Sequence, residues 1–263
     1  MVDGEKLRYK YLSESDASRL YSQLELPPSP KAYCPTCFKE GSYVYEGVTY
    51  QCDCELQYQL FKHYMNAGIG KTYQRLDWGD FEGDPQALQM AELFWDRREL
   101  FVQRGLGLIF LGEFGTGKTM LQTLLAKDLV KTGYSVFCVK FSSMIDMFTS
   151  GWRSQEDREF FQRKVKGSQV LVIDDLGKEF KASNNLSGTT LDDVLRTRVQ
   201  EGRTTLITSN LNTEEMDNGY GPAIFSLLKE VSMIYEFRGE DYRTTANRKA
   251  VDEALKGEIR PIV

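Results

Sequence analysis

Short apolar runs alternate with amphipathic segments along the second half of the chain. The apolar runs span residues 106–111, 136–141, 170–174, 204–208 and 233–237. Runs of this length and continuity predict strands that are covered on both faces of a sheet. Helical stripes lie between them, as in residues 118–131, where leucines share one face and Gly133 follows as a stop. Strands that alternate with helices predict an α/β fold with a parallel sheet.

The first hundred residues follow other patterns. Ser13 and Asp16 are spaced as the capping box of a helix that a proline-rich stretch ends; this helix either packs on the segment that follows or binds a partner protein. An amphipathic helix of about 20 residues begins at Pro85 and ends near Gly105. We divide the chain into a helical segment (1–30), a cysteine module (31–66), a connector (67–84), an α/β domain (85–243) and a C-terminal tail (244–263).

Composition narrows the class of protein. The chain has 263 residues, of which 41% are hydrophobic and 12% aromatic, enough to build a packed core. The formal net charge of −5 argues against nucleic-acid binding by bulk positive charge, so any such contact needs a local basic patch. No apolar run approaches the roughly 20 residues that span a bilayer, and the N-terminus lacks the apolar stretch of a signal peptide. We expect a cytoplasmic protein.

Four of the five cysteines lie close together in the sequence. Cys34 and Cys37 form one pair, and Cys52 and Cys54 form a second after a gap of 14 residues. Two such pairs can place four thiolates around one Zn²⁺ ion, which is bound tetrahedrally at about 2.3 Å. Tyrosines and glycines in the gap predict a small hairpin between the pairs. With four thiolates the zinc site would be closed and structural.

Other arrangements of these residues remain open. An iron–sulfur cluster also takes four thiolates, and His63 could replace one thiolate because the second cysteine pair is unusually tight. Disulfides are disfavoured, since a cytosolic chain keeps its thiols reduced. We expect His63 to be a surface residue of a helix over residues 56–66, and Cys138 to be a buried strand residue.

A phosphate-binding motif follows the first strand of the α/β domain. The pattern G-x4-G-K-[ST] is matched by Gly112, Glu113, Phe114, Gly115, Thr116, Gly117, Lys118 and Thr119. Glycines let successive backbone N–H groups approach phosphate oxygens, and the helix that begins at Lys118 adds a favourable dipole. In this arrangement Lys118 contacts the β- and γ-phosphates, and the Thr119 hydroxyl ligates Mg²⁺. The motif predicts a bound nucleoside triphosphate; the alternative is a degenerate loop that no longer binds.

Polar residues end two of the predicted strands. Asp174 and Asp175 follow the run over 170–173, where Asp174 would hold Mg²⁺ and Asp175 would orient or deprotonate the attacking water. Asn210 follows the run over 204–208 and could hydrogen-bond the γ-phosphate or the water. Ser209 and Thr208 are weaker candidates for that role. The alternatives are that the carboxylates only solvate a strand end and that the polar string is a turn.

These motifs in this order resemble an AAA+ ATPase, and in particular the branch of DnaC-like helicase loaders and IstB-type transposition ATPases. The resemblance rests on the phosphate loop, on I-D-D-L-G at 173–177, on T-S-N-L at 208–211 and on F-R-G-E-D-Y-R at 237–243. The cysteine module and the connector are similar to those of some members. The resemblance implies an α/β fold in which a small zinc-binding module precedes an AAA+ P-loop ATPase domain with a parallel sheet.

The resemblance also implies roles for arginines. Arg243 matches the arginine that senses the nucleotide in its own subunit. The branch usually offers a second arginine to ATP on a neighbouring subunit of a self-associated assembly, from a stretch like S-R-L, but here residues 226–229 read S-L-L-K. Either Arg196, Arg198 or Lys229 takes the place of this second arginine, or hydrolysis is slow. An arginine in this position can raise the rate of hydrolysis by a factor of about 10³–10⁵.

The function that the resemblance implies is ATP-dependent loading of a replicative hexameric helicase onto single-stranded DNA. Lys118, Mg²⁺ and Arg243 would stabilise charge while Asp175 and Asn210 position the attacking water. The alternatives are an ATPase that selects targets for a transposase, and a nucleotide-gated adaptor that does not hydrolyse ATP. A small-molecule kinase would use the same loop, but the strings at 208–211 and 237–243 speak against it.

One segment combines cations with aromatic residues, as single-strand DNA sites do. It contains Lys140, Phe141, Met144, Phe148, Trp152, Arg153, Arg158, Arg163, Lys164 and Lys166. Alternatively, Phe141, Met144 and Phe148 form a core stripe, and nearby acidic residues dilute the positive charge. If the segment binds DNA, replacing Arg153, Lys164 and Lys166 with alanine weakens binding and flattens its salt dependence.

Overall fold

A computed structural model of the chain describes residue 40 and residues 42–177, 186–256, 260 and 262–263. The strands are β1 (Ser42–Tyr45), β2 (Val48–Gln51), β3 (Gly107–Leu111), β4 (Val136–Lys140), β5 (Val170–Leu176), β6 (Thr204–Ser209) and β7 (Ser232–Glu236). β1 and β2 form an antiparallel hairpin, and the other five form a parallel sheet in the order β4-β5-β6-β3-β7. The predicted α/β fold and its parallel sheet are confirmed.

Helices connect the parallel strands and cover both faces of the sheet. They are α1 (Asp53–Asn66), α2 (Pro85–Asp96), α3 (Arg98–Gln103), α4 (Lys118–Lys131), α5 (Phe141–Ser150), α6 (Gln155–Phe161), α7 (Leu186–Gln200), α8 (Thr213–Tyr220), α9 (Pro222–Val231) and α10 (Arg243–Leu255). A π-helical turn, Gln162–Lys166, continues α6. α4 has the predicted bounds, and Gly133 follows it at φ +88°, a left-handed conformation that ends helices.

Burial on both faces explains why the strand sequences are continuously apolar. In β3, Leu108 and Phe110 belong to one core cluster, which α1, α2 and α4 cover. Ile109 and Leu111 belong to a second cluster, which α5, α7 and α9 cover on the opposite face. Because neighbouring residues of a strand point to opposite faces, a strand covered on both sides needs apolar residues at every position.

β5 is irregular at its carboxyl end. Its pairing with β6 aligns Ile173 with Ile207 and resumes with Leu176 opposite Ser209. Two residues, Asp174 and Asp175, therefore stand opposite Thr208 alone, which is a β-bulge. A bulge interrupts the strict alternation of side chains, so two consecutive carboxylates can serve the same edge of the sheet.

The expectation of one long helix over residues 85–105 is wrong. Arg97 ends α2 with φ −106° and ψ 13°, and α3 begins at the next residue. The Arg98 side chain donates to the Trp95 carbonyl oxygen at 3.0 Å, so it satisfies one of the carbonyls that the end of α2 exposes.

The expectation of a surface position for His63 is also wrong. His63 lies on α1, whose neighbouring residues Tyr64 and Leu60 belong to the first core cluster, and it is only 7% exposed. Burial, together with the charge of Lys62, lowers the pKa of His63 to about 4. The imidazole is therefore neutral near pH 7.

The connector and the tail are structured parts of the domain. The connector contains two 3₁₀ turns, Tyr73–Arg75 and Trp78–Asp80. Lys127 of α4 donates through its Nζ to the carbonyl oxygens of Tyr73 (3.1 Å) and Gln74 (3.4 Å), and also to that of Leu76. In the predicted tail, α10 occupies most of the described residues, and Ile262 is buried in the first core cluster.

The hairpin predicted within the cysteine module is confirmed as β1 and β2. The helical segment 1–30 and the first cysteine pair, Cys34 and Cys37, lie outside the described residues. Cys52 precedes α1 and is buried, whereas the Cys54 side chain is outside the described part. The described residues contain no group of three or more His, Cys, Asp or Glu side chains that could hold a metal. The zinc site and its four thiolate ligands stay a prediction.

The sequence predicts that Cys138 is a buried strand residue and that the chain has no membrane-spanning helix. Cys138 lies in β4, partly buried against the first core cluster, and burial raises the pKa of its thiol. None of the helices in the described ranges has the length and apolar character needed to cross a bilayer.

Candidate functional site

The phosphate loop connects β3 to α4. Its glycines 112, 115 and 117 all have positive φ values, of 117°, 78° and 97°, which side chains with a Cβ rarely adopt. Lys118 is 5% exposed, and its Nζ donates to the carbonyl oxygens of Gly112 (2.9 Å) and Glu113. The backbone of the loop thus surrounds the Lys118 side chain and holds its ammonium group at the centre of the loop.

The charge of Lys118 depends on its surroundings. Burial lowers the pKa of its ammonium to about 8; Asp175 opposes this shift, and the charge of Arg243 adds to it. Asp174 also acts to raise that pKa, so both consecutive carboxylates lie within electrostatic range of the ammonium. An anion bound in the loop would add negative charge beside the ammonium and favour its protonated form.

Asp174 joins the end of β5 to the phosphate loop and to β6. The Thr119 hydroxyl donates to Asp174 Oδ1 at 2.8 Å, and the Thr208 hydroxyl donates to the same oxygen at 2.5 Å. The predicted magnesium ligands Thr119 and Asp174 are therefore in direct contact. A hydroxyl and a carboxylate in contact supply the hard oxygen ligands that Mg²⁺ requires.

Asp175 is held in a strained conformation beside Asn210. Its φ of +60° lies in the left-handed region, which non-glycine residues seldom occupy. Its backbone N–H donates to Thr208 Oγ1 at 3.1 Å, and the Asn210 side chain donates to Asp175 Oδ1 at 3.1 Å. The two residues predicted to position water thus touch each other at adjacent strand ends.

The Ser209 hydroxyl makes hydrogen bonds to the backbone of the strand ends. Its hydroxyl donates to the Leu176 carbonyl oxygen at 2.6 Å and accepts from the Leu211 N–H at 3.1 Å. The Ser209 hydroxyl therefore holds the strand ends together beyond the bulge, and it does not serve as the γ-phosphate contact considered from the sequence.

The segment that ends in Arg243 packs on the phosphate loop. The Tyr242 N–H donates to the Gly115 carbonyl oxygen at 3.0 Å. A Cβ at Gly115 would meet the Asp241 carboxylate at 2.0 Å, and the φ of +78° would strain any other residue, so both favour glycine there. Asp241 Oδ1 also accepts from the Arg243 N–H at 2.9 Å, at the start of α10. The segment around Asp241 therefore packs on the phosphate loop, and the role of Arg243 in sensing the nucleotide stays a prediction.

A cavity of about 380 Å³ opens beside the phosphate loop. Its walls come from the connector, from the start of α4 and from α10, and they include Leu76, Phe81, Gly117 and Met120. A Cβ at Gly117 would meet the Phe81 ring at 2.9 Å, so this ring packs directly on the loop. α10 contributes alanines 246, 250 and 254, whose small side chains leave the space open. The volume lies within the range of small-molecule sites.

Ion pairs join opposite walls of this cavity. Arg260 donates to Asp80 of the connector at 2.6 Å and to Glu253 of α10 at 2.9 Å. Lys249 of α10 pairs with Glu82 of the connector. These contacts connect α10 to the connector across the opening.

Asp84 fixes the end of the connector. Its Oδ1 accepts from the Gln86 N–H at 2.9 Å and caps α2, while its Oδ2 accepts from the Tyr235 hydroxyl (2.9 Å) and the Arg238 N–H (2.8 Å). Burial opposes ionisation, but these donors outweigh it and lower the pKa of Asp84. Asp84 thus joins the connector to the strand that leads to Arg243.

The sequence identified the phosphate side of the site but missed the cavity side. Phe81, Arg260 and the alanines of α10 come from segments far apart in the sequence. The connector that contains Phe81 is similar to that of some family members, but this similarity does not indicate a cavity wall. The Gly and aromatic content of residues 67–84 was a signal, because glycines permit close approach and aromatic rings form cavity walls.

The three candidates for a second arginine differ in exposure. Arg198 is fully buried and donates to the carbonyl oxygens of Val165 (2.9 Å) and Ser168 (3.0 Å), among others, so it cannot reach a neighbouring subunit. Burial lowers the pKa of Arg198 to about 9. Arg196 is exposed beside Asp192, and Lys229 lies over the Phe225 ring. The expectation that Arg198 substitutes is therefore wrong.

Part of the candidate DNA segment is buried or paired, although Lys140, Arg153, Arg158 and Arg163 are exposed. Phe141 and Met144 are fully buried in the second core cluster. Lys164 is buried and donates to Asn66 Oδ1 at 2.6 Å, and Lys166 pairs with Asp193 at 2.7 Å. Of the residues chosen for substitution, only Arg153 is exposed, next to Trp152, which is 61% exposed.

The residues present fit a nucleoside triphosphate with magnesium. The loop presents three glycines where a Cβ would not be tolerated or would be strained. Thr119 and Asp174 are in contact, and a cavity lined by apolar and polar groups adjoins the loop. A phosphate cradle, a pair of oxygen ligands and a nucleoside-sized space thus occur together.

Comparisons with known proteins agree with this geometry. A family model described as IstB-like ATP binding protein matches residues 60–250. The chain is 27% identical over 157 residues to the replicative helicase loader DnaI of Bacillus subtilis, covering 58% of this chain and 48% of that protein. It is 32% identical over 113 residues to an insertion sequence IS21-like putative ATP-binding protein of Bacteroides fragilis, covering 42% of this chain and 54% of that protein.

The matched part of the chain spans about half the length of each of these two relatives. Among solved structures, a crystal structure of the DnaC helicase loader superposes with a TM-score of 0.57 and 21% identity. The superposition covers 64% of this chain and 100% of that chain. At this identity the likeness shows a common fold.

Proposed function

The chain belongs to the family of IstB-like ATP binding proteins, a DnaC-like branch of the AAA+ ATPases, and from that premise we propose that it loads a replicative DNA helicase onto single-stranded DNA under the control of ATP. The observation that carries the proposal is the cavity beside the phosphate loop, in a chain similar to a named helicase loader. The phosphate loop holds the triphosphate, and the cavity between the connector and α10 receives the nucleoside.

The residues of the loop bind and orient the triphosphate. The backbone N–H groups of the loop and the N-terminus of α4 face the phosphates. Lys118 Nζ, which donates to the carbonyl oxygens of Gly112 and Glu113, would donate to the β- and γ-phosphates of a bound triphosphate. Arg243 places a second positive charge within range of Lys118.

Thr119 and Asp174 would hold magnesium. The bound ion supplies positive charge that neutralises the β- and γ-phosphate oxygens. Asp175 accepts the proton of the attacking water, and Asn210 holds the Asp175 carboxylate by its 3.1 Å hydrogen bond. These roles are assigned from contacts between the side chains and from the general needs of phosphoryl transfer.

A second candidate function is target selection for a transposase. The 32% identity to the IS21-like ATP-binding protein over 113 residues favours it. Both functions use the same nucleotide site, so they differ only in the partner that the ATP-bound form engages.

A third candidate is an adaptor that binds ATP without hydrolysing it. The burial of Arg198 favours it, because it removes one of the three residues considered as substitutes for the arginine offered to a neighbouring subunit. Self-association through the ATPase domain then organises the complex, and ATP turnover is slow.

DNA contact is proposed for a smaller surface than the sequence indicated. Trp152 and Arg153 are exposed at the end of α5, where an aromatic ring can stack on a base beside a cation that binds phosphate. The double variant Trp152→Ala/Arg153→Ala should weaken binding to single-stranded oligonucleotides in a fluorescence titration. Lys164 and Lys166 are left intact, because their loss would disturb the fold.

The zinc module remains part of the proposal. We expect purified full-length protein to contain about one zinc per chain by atomic emission, bound by four thiolates. Substituting Cys37 with serine should lower that content. Iron in place of zinc would instead support a cluster, and absence of both metals would remove the site.

Pull-down from lysate with the tagged full chain tests the choice of partner. With ATP, recovery of the hexameric replicative helicase supports the loader, and recovery of a transposase supports the second candidate. The Lys118→Ala variant should lose the ATP-dependent recovery. Recovery that is equal with ATP, with ADP and without nucleotide would contradict nucleotide control, and undetectable ATP turnover with intact ATP binding would favour the adaptor.

A further inference from the structure

Thr208 occupies the position where the two carboxylates of the site meet β6. The bulge in β5 places Asp174 and Asp175 together opposite this single residue. Thr208 is 2% exposed, so water does not compete for its hydroxyl. A buried hydroxyl between the Asp174 carboxylate and the Asp175 main chain must be satisfied by the groups around it.

The hydrogen bonds of this hydroxyl have a fixed direction. The Asp175 N–H donates to Thr208 Oγ1 at 3.1 Å, since a backbone N–H can only donate. The Thr208 hydroxyl proton is then committed to Asp174 Oδ1, at 2.5 Å, because an ionised carboxylate can only accept. The chain from Asp175 through Thr208 to Asp174 is therefore polarised in one direction.

The same hydroxyl supports an unfavourable backbone conformation. Asp175 has a φ of +60°, and such strain persists only where surrounding contacts hold the residue. Because of the bulge, the Asp175 N–H is directed to a side chain where a regular ladder would offer a strand carbonyl. Asn210 holds the Asp175 carboxylate, so Thr208 holds the backbone and Asn210 the side chain.

We infer that Thr208 is a positioning residue, whose hydroxyl orients the magnesium-binding carboxylate of Asp174 and fixes the backbone from which Asp175 reaches the attacking water. The inference rests on the proposed ATP-dependent function. Thr208 would act indirectly on the reaction, since its hydroxyl contacts the Asp174 carboxylate and the Asp175 main-chain N–H. Groups that orient metal ligands in this way usually affect metal affinity strongly.

The test compares three variants of the full-length protein. Thr208→Val keeps the shape but removes the hydroxyl, Thr208→Ser keeps the hydroxyl, and Ser209→Ala removes the neighbouring hydroxyl that binds Leu176. For each variant, Mg²⁺ is titrated against retention of a fluorescent ATP analogue, ATP turnover is followed in parallel, and the melting temperature is recorded. Binding of the analogue in EDTA measures the phosphate loop without magnesium.

We expect Thr208→Val to raise the Mg²⁺ concentration at half-maximal retention by roughly tenfold or more. Its affinity for the analogue in EDTA should remain that of the wild type, because the phosphate loop is unchanged. Thr208→Ser should titrate close to wild type, and Ser209→Ala should lower the melting temperature without moving the magnesium midpoint. If Thr208→Val does not fold, Thr208→Cys, which has a weaker donor, should shift the midpoint in the same direction.

An unchanged midpoint in the valine or cysteine variant would overturn the inference, as would equal shifts in the valine and serine variants. Failure of the proposed function has a different signature. In that case the wild-type protein itself would retain no nucleotide at any Mg²⁺ concentration, whereas failure of the inference leaves wild-type retention intact.

Discussion

ATP affinity should fall as pH rises through about 8, because the buried Lys118 ammonium loses its proton in that range. Burial lowers the pKa of Lys118 to about 8. The group is therefore about 90% protonated at pH 7 and about 10% protonated at pH 9. Bound phosphates raise the pKa, so the complex keeps the proton. Binding of ATP is therefore accompanied by proton uptake, and the affinity for ATP falls above the pKa of Lys118 in the free protein.

The expected size is about a tenfold weaker affinity at pH 9 than at pH 7, since only the protonated fraction binds. The terminal phosphate of ATP is already ionised in this pH range and contributes little to the dependence of affinity on pH. Fluorescence titration in EDTA gives the affinity. Calorimetry in buffers of different ionisation enthalpy counts the protons: about 0.1 taken up per ATP at pH 7 and about 0.9 at pH 9.

Lys118→Arg is the control, because a guanidinium stays charged throughout this range. Its affinity can be lower than that of wild type, but it should not depend on pH. Lys127 also has a pKa of about 8, lowered by burial, and it is retained in the control, so any remaining slope measures its contribution. A wild-type affinity that is flat from pH 7 to pH 9, with no proton uptake, would refute the reasoning.

Three substitutions test the framework of the site. Asp84→Ala removes the cap of α2 (about 1 kcal/mol) and the hydrogen bonds that Asp84 accepts from the Tyr235 hydroxyl and the Arg238 N–H (about 0.5–1.5 kcal/mol each). It should lower the free energy of unfolding by about 2–4 kcal/mol in urea, whereas the exposed Asp96→Ala should change it little. Arg198→Ala leaves several buried carbonyl oxygens without a donor and should yield little folded protein on gel filtration. Its control, Arg196→Ala, loses one exposed ion pair, and its free energy of unfolding should remain within about 1 kcal/mol of wild type. Arg260→Ala breaks the contacts that join the connector to α10, worth about 1 kcal/mol in such partly exposed pairs, and should weaken ATP binding about fivefold by fluorescence titration. An unchanged affinity in that variant would mean that the ion pairs of Arg260 with Asp80 and Glu253 do not stabilise the cavity.

The strands and the phosphate loop could be predicted because their sequences carry a local physical requirement. A strand that is buried on both faces needs continuous apolar residues, as in β3. The loop needs glycines at positive φ, as at Gly115, where even a Cβ would collide with Asp241. Such requirements are visible in a few consecutive residues.

The bulge at the end of β5 left no such signal. The apolar residues of the run end at Ile173, and nothing in the sequence shows that Asp175 lies in the left-handed region or that Thr208 contacts the Asp174 carboxylate and the Asp175 N–H. The cavity was missed for a related reason. Its walls are brought together by tertiary packing of the connector on α4 and α10, and Lys127 fixes the connector by contacts that are remote in sequence.

The roles of Arg196 and Arg198 could have been separated in part from the sequence. Arg198 continues the helical stripe of Leu191, Val194 and Leu195, which lies on the buried face of α7. Arg196 lies off that stripe, beside Asp192. The stripe marks which arginine faces the core, but only the structure shows the carbonyl oxygens that make its burial possible.

Photolabelling with an azido-adenine analogue of ATP tests the location of the nucleotide most directly. The account predicts that illumination of the full-length protein labels the connector around Phe81 or α10 around Ala250, that excess ATP prevents the labelling, and that Lys118→Ala abolishes it. Labelling confined to other segments, or none in folded wild-type protein, would contradict a nucleoside site between the connector and α10.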